Sequence, residues 1–148
     1  MSSASIKKII PCKKNQLIHM VLDIEKYPEF VPWCLEGKVH EKKESSNIIE
    51  IKGDLKVGKS FLNETYSSLV LYYKDKDKIS VTNIDGPLKY LENEWKFKEI
   101  NNSTQLEFNI DFELKNNLLN TIMKKSFNLG LNKIANAFEE RAIKLFKQ

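Results

Sequence analysis

The sequence predicts an α+β fold in which a strongly curved antiparallel sheet of about seven strands packs against one long C-terminal helix. Three observations carry this expectation. From Cys34 to Leu114 apolar residues recur with period two, the spacing of strands with one wet face. From Asn117 to Lys147 they recur with a helical period. No linker, repeat or low-complexity tract separates the two regions, so 1–148 reads as a single domain. A chain of 148 residues buries roughly 70% of its unfolded surface and needs no metal or disulfide staple.

The elements follow in order. A first strand fits Ser3–Ile10 and is closed by Pro11. Lys14–Ile24 then carries Leu17, Ile18, Val21, Leu22 and Ile24 at helical spacing, until Pro28 and Pro32 intervene. That leaves room for at most a second short helix at Pro28–Val31, giving one or two short helices between strands 1 and 2. Further strands fit Leu35–Lys43, Asn47–Val57, Ser60–Tyr73 and Lys78–Ile84, with reversals at SSN, VGK, KDKD and INN. In LENEWKFKEI, Leu91, Trp95 and Phe97 point inward, while Glu92, Glu94, Lys96 and Lys98 point outward. QLEFNIDFEL places Leu106, Phe108, Ile110, Phe112 and Leu114 on one face. The last helix is about 45 Å long. Its stripe runs Leu119, Ile122/Met123, Phe127, Gly130/Leu131, Ile134, Ala137/Phe138, Ala142 and Leu145, with Asn116 or Asn117 as the cap.

Composition narrows the function. Of 24 basic residues only Arg141 is arginine, and the lysines alternate with acids along most strands. Arginine is the residue suited to bidentate phosphate and base recognition, and no basic stripe with interleaved aromatics is present. A DNA partner is therefore not expected, although a net charge of +4 permits weak attraction to RNA or an anionic membrane. Cys12 and Cys34 form no disulfide framework and read as buried, inert thiols. The start of the chain lacks the apolar core of a signal peptide, and a cytoplasmic location is expected.

Catalytic groups are sparse. His19 and His40 have no Ser or Cys nucleophile at a known spacing, and no metal-binding cluster stands out. The five glycines make no phosphate-cradling loop, and Glu92 and Glu94 fall on the solvent face of their strand. What remains is apolar: EKYPEFVPWC, Glu25 to Cys34, packs three aromatics and two prolines into a connection. Connections are normally polar, so this one is either a buried plug or the lining of an apolar pocket. Met123, Phe127 and the mid-helix Gly130 allow the same two readings, core or pocket.

EKYPEFVPWC, then IEIKGDLKVGKSFLNETYSSLVL, IDGPLKYLENEWKF and AFEERA, resembles the coenzyme Q-binding branch of the START-like (polyketide cyclase/dehydrase and lipid transport, SRPBCC) superfamily, a branch that also holds bacterial ribosome-association toxins. The resemblance implies a helix-grip fold enclosing an apolar cavity. It places Tyr27, Pro28, Phe30, Val31, Pro32 and Trp33 at the cavity mouth, with Gly86, Pro87, Leu88 and Leu91 beside them and Trp95 inside. Phe61, Met123, Phe127 and Leu131 complete the expected lining. Asn63 and Thr65 share a strand face with Phe61; whether that face lines the cavity stays open because a bulge near Gly58 would invert it. The implied function is non-catalytic: ubiquinone or another polyprenyl lipid is held as ligand, no cofactor is required, and respiratory electron transport is supported, with peripheral contact at the inner membrane. The alternative is a toxin of a toxin–antitoxin pair that binds the large ribosomal subunit and blocks subunit association.

Overall fold

The computed structural model describes residues 2–59 and 62–146, and within them every side chain except those at 2, 59, 62, 119 and 122–126. The elements are β1 (Ser2–Ile10), α1 (Lys14–Leu22), a 3-10 turn (Ile24–Glu29), β2 (Cys34–Glu44), β3 (Ile48–Lys59), β4 (Leu62–Tyr73), β5 (Lys78–Asp85), β6 (Leu88–Ile100), β7 (Ser103–Leu114) and α2 (Asn117–Phe146). All strand pairs are antiparallel, and the seven-stranded sheet runs β1-β7-β6-β5-β4-β3-β2. This is the expected α+β helix-grip architecture, with α2 packed along the apolar face of a curved sheet.

Alternation decides which side chains enter the core. Along β7 Leu106, Phe108, Phe112 and Leu114 are buried, and along β6 Trp95 and Phe97 are buried beside them. On α2 the covered stripe is Leu131, Phe138 and Ala142, and Asn116 caps the helix by accepting the Leu118 N–H at 3.0 Å.

Boundaries fall within two residues of expectation, with informative exceptions. The first helix stops at Leu22 rather than Ile24, and the second short helix is the 3-10 turn at Ile24–Glu29 rather than Pro28–Val31. Asp23, at ψ 68°, breaks the helical path, and a 3-10 turn this short needs few donors, so it accommodates Pro28. The expected reversal at VGK is instead continuous strand, since β3 runs through Lys59. Leu145 belongs outside the stripe: it is 49% exposed, while Phe146 packs against the core. Neighbouring helical residues lie about 100° apart, so only one of these two can face inward at the last turn.

The pairings Cys34↔Val57, Ser67↔Asp85 and Leu88↔Leu114 place the start of β2, the β5–β6 turn and the start of α2 at one end of the sheet. The 3-10 turn is seated on β2 and β3 through a close backbone approach at Gly37. A Cβ built there would lie 2.0 Å from the Ile24 carbonyl oxygen. Gly37→Ala is therefore expected to displace the turn and destabilise the fold by about 1–3 kcal/mol, measured as a lower thermal or urea midpoint.

Candidate functional site

The connection expected at the mouth divides into a buried and an exposed half. Tyr27 is buried; its hydroxyl donates to the Val21 carbonyl oxygen, and burial pushes the phenol well above its usual titration range. Its ring meets Phe30 and Phe138 edge-on at 5.9 and 5.5 Å, and Trp95 meets Phe138 at 5.4 Å. Phe30 also meets Phe138, at 5.1 Å. Edge-to-face contacts of this kind fix ring orientation as well as burying area. Tyr27, Phe30, Trp95 and Leu131 are therefore part of the packed main core.

The exposed half behaves differently. Val31 and Pro32 are half-buried and Trp33 is 36% exposed. Trp33 has φ +64°, a left-handed conformation that a bulky residue adopts at a cost of about 1–3 kcal/mol. Three contacts hold it: its carbonyl oxygen accepts the Gly58 N–H at 2.9 Å, its ring lies 3.8 Å from where a Gly130 Cβ would stand, and Lys133 Nζ sits 5.9 Å from the ring centroid. The mid-helix glycine thus lies against the connection's tryptophan.

Leu88 and Leu91 belong to a second apolar cluster at the α2-start end of the sheet, together with Phe112 and Leu114. Phe127 from α2 joins this cluster at 4.8 Å from Phe112, and both Phe127 and Ile110 also touch the main core. Gly86 has φ +123° and Pro87 is half-buried at the adjoining turn. Pro28 is a correction: it is exposed and lines a groove outside the core, of about 430 Å³, with Glu25, Leu35, Glu36, Lys38 and Asp54. Phe61 lies outside the described residues, and so does the Met123 side chain.

Asn63 and Thr65 are settled by register. Thr65 pairs with Lys56, on the solvent side of β3, while the alternate residue Tyr66 pairs with Leu55 and packs into the second cluster. The polar pair therefore faces outward, and Tyr66 is the inward residue that sequence reading missed. Two buried amides were missed as well. Asn93 takes the Trp95 Nε1–H at 2.6 Å and donates to the Asn109 carbonyl at 3.2 Å. Asn120 accepts the Leu114 N–H at 2.8 Å and donates to the Leu114 carbonyl at 3.0 Å, tying α2 to the end of β7. Strict alternation from Leu91 would have found Asn93; Asn120 carries no local signal.

His40 is less isolated than its sequence neighbours suggest. Its Nε2 lies 2.7 Å from Asp54 Oδ2, and Ser67 Oγ donates to Asp54 Oδ1 at 2.6 Å. These bonds, the one from Ser67 above all, hold the Asp54 carboxyl below its usual range. Both partners bond the carboxylate, so the imidazole does not activate the hydroxyl as a nucleophile would require. The thiols are buried, with Cys12 pushed up to about 11.

An ion pair fastens the connection to α2. Arg141, near the end of α2, donates to Glu29 at 2.7 Å and lies 5.1 Å from the Phe30 ring centroid.

A long C-terminal helix gripped by a seven-stranded antiparallel sheet, with an aromatic connection at one rim, defines the START-like helix-grip class. The chain belongs to the polyketide cyclase / dehydrase and lipid transport family, whose profile matches residues 10–139. It is 31% identical over 150 residues to a ribosome association toxin of Rickettsia prowazekii, covering 99% of this chain and 100% of the relative. It is 30% identical over 135 residues to a mitochondrial coenzyme Q-binding protein of Dictyostelium discoideum, covering 89% of this chain and 64% of the relative. The solution structure of an 18 kDa protein from Caulobacter crescentus superposes with a TM-score of 0.80 at 31% identity, over 98% of both chains. An aromatase/cyclase crystal structure from Streptomyces shares the fold alone, with a TM-score of 0.81 at 13% identity over 97% of this chain and 94% of that one.

The Arg141 guanidinium holds the Glu29 carboxyl below its ordinary value. A depressed carboxyl stabilises the folded state above its unfolded pKa, about 4.3, and loses that effect as pH falls through the folded value. Wild type is thus expected to melt above Glu29→Gln near neutral pH, and the two midpoints to converge under acid conditions.

Proposed function

We propose that this protein is a non-catalytic lipid carrier that holds a polyprenyl quinone of the ubiquinone type between α2 and the sheet, and that it supports respiratory electron transfer by doing so. The observation that carries the reading is the second apolar cluster, with Leu88, Leu91 and Phe127, at the same end of the sheet as a connection whose outer tryptophan is half-exposed and strained. An apolar tail entering here parts Phe127 from Phe112 and moves Trp33 off Gly130. Such a tail gains about 0.8 kcal/mol per buried CH₂ group, enough to offset the opening of a few side-chain contacts. The relative named for binding coenzyme Q supports the ligand class.

Lipid extraction of the purified protein followed by mass spectrometry is expected to yield a quinone. In direct titration, Phe127→Asp and Trp33→Ala are expected to weaken ubiquinone binding by about tenfold or more, since each removes apolar contact area. No extracted quinone together with no saturable binding would overturn the reading.

A second reading has its own support: the 31% identity to a ribosome association toxin extends over 99% of the chain. In that reading the protein binds the large ribosomal subunit and blocks subunit joining. Sucrose-gradient profiles are then expected to show free subunits accumulating as protein is added; unchanged profiles at stoichiometric excess remove it.

A further inference from the structure

We propose that the end of the molecule around Trp33 is a docking face for an anionic lipid bilayer, so that the carrier loads and unloads while seated on the membrane. The inference rests on the lipid-carrier reading and adds its partner surface.

The first observation is where large apolar side chains are left uncovered. Leu118 is 69% exposed and Leu129 64% exposed, and they lie 11 positions apart on α2. At about 100° per residue that spacing returns both to nearly the same helix face, away from the buried Leu131–Phe138–Ala142 stripe. Leu129 adjoins Gly130, on which the half-exposed Trp33 ring rests.

The second observation concerns the strands. Register shifts between Cys34 and Glu36, and opposite Ser67/Ser68, leave Leu35 and Ile84 as the extra residues, and both side chains are exposed. A third shift, between Leu88 and Tyr90, leaves Lys89 exposed in the same way. Bulges re-aim side chains. These three sit at the sheet end where α2 begins, and they turn two apolar residues and a lysine outward. Acids adjoin them: Leu35 lines the outer groove beside Glu36, Ile84 precedes Asp85, and Lys89 pairs with Glu113 at 3.8 Å, so the positive charge of this end comes from α2.

Charge is the third. From Leu114 to Phe138 the sequence has Lys115, Lys124, Lys125 and Lys133 and not one Asp or Glu. Exposed leucines and a tryptophan, with Lys133 over the tryptophan ring and Lys115 just before α2, suit the headgroup boundary of an anionic bilayer, where apolar side chains insert and lysines meet lipid charge. An RNA surface fits less well, because it rewards arginine and stacked aromatics, and Arg141 lies toward the other end of α2. At that opposite end the exposed Ile143 and Leu145 stand among Glu139, Glu140, Arg141 and Lys144, so both signs of charge meet there, whereas the stretch from Leu114 to Phe138 carries bases alone. Among the described residues no helix is long and apolar enough to cross a membrane, so the contact is with a surface.

The test is flotation of quinone-free protein with vesicles of phosphatidylcholine alone or with about 30 mol% phosphatidylglycerol. Binding is expected to the anionic vesicles only, and to weaken as salt is raised. The Leu118→Asp/Leu129→Asp variant is expected to bind at least about tenfold more weakly. Lys115→Glu/Lys133→Glu is expected to lose the preference for anionic vesicles, while Leu145→Asp binds as wild type; thermal melts confirm folding of each. Equal binding to neutral vesicles, wild-type binding by the double leucine variant, or sedimentation with ribosomes in preference to vesicles overturns the docking face. The lipid carrier is tested separately by ubiquinone titration in detergent: quinone binding without vesicle binding removes only the docking face, and vesicle binding without quinone removes only the carrier.

Discussion

Everything at the candidate site depends on how Phe138 seats α2 against the sheet. This ring is 1% exposed and meets Tyr27, Phe30 and Trp95 edge-on, so it joins the 3-10 turn, the following connection, β6 and the helix in one contact. The preference of aromatic pairs for edge-on packing sets directions as well as distances. One turn further along α2, Arg141 reaches back to Glu29 and Phe30, so the inner half of the connection is clamped by both ring packing and an ion pair. The core in this region behaves as a rigid frame on which the outer half of the connection is mounted.

That outer half has weaker support and stored strain. Trp33 keeps a left-handed backbone with one side of its ring on α2 and the other toward solvent. A bulky residue holds such a conformation only when its surroundings impose it. Here the Gly58 N–H, the surface of Gly130 and Lys133 do so. Farther toward the start of α2, Phe127 against Phe112 bridges the second apolar cluster to the main core. The Asn120 side chain fixes where α2 leaves β7, which sets how far the first half of the helix stands from Leu88 and Leu91.

The face-specific roles of polar residues also follow from register. Thr65 and Asp54 share the solvent side of the sheet, so the hydrogen bonds around His40 and Ser67 serve the outer surface and have no route to the apolar interior. Asn93, by contrast, is buried beside Trp95, with its amide satisfied by one donor and one acceptor. A buried amide with both partners made is compatible with an otherwise apolar site.

The sequence by itself determined the order of elements, the inward sets of β6 and β7, the long terminal helix and the family, because each rests on local period, turn chemistry or motif. It also singled out the connection at Tyr27–Trp33, since prolines and aromatics are visible wherever they fold. What only the tertiary structure decided was which of those aromatics are plug and which are rim. Tyr27, Phe30 and Trp95 became core because Phe138, more than a hundred positions beyond Tyr27, fills the space between them. Pro28 turned to an outer groove because the short helix formed earlier than its prolines suggested, pressed onto Gly37. Tyr66 entered the second cluster, and Leu35 and Ile84 were turned outward, by strand register and by bulges. Those depend on hydrogen bonds between distant segments, and no local pattern of residues encodes a pairing that the partner strand must supply.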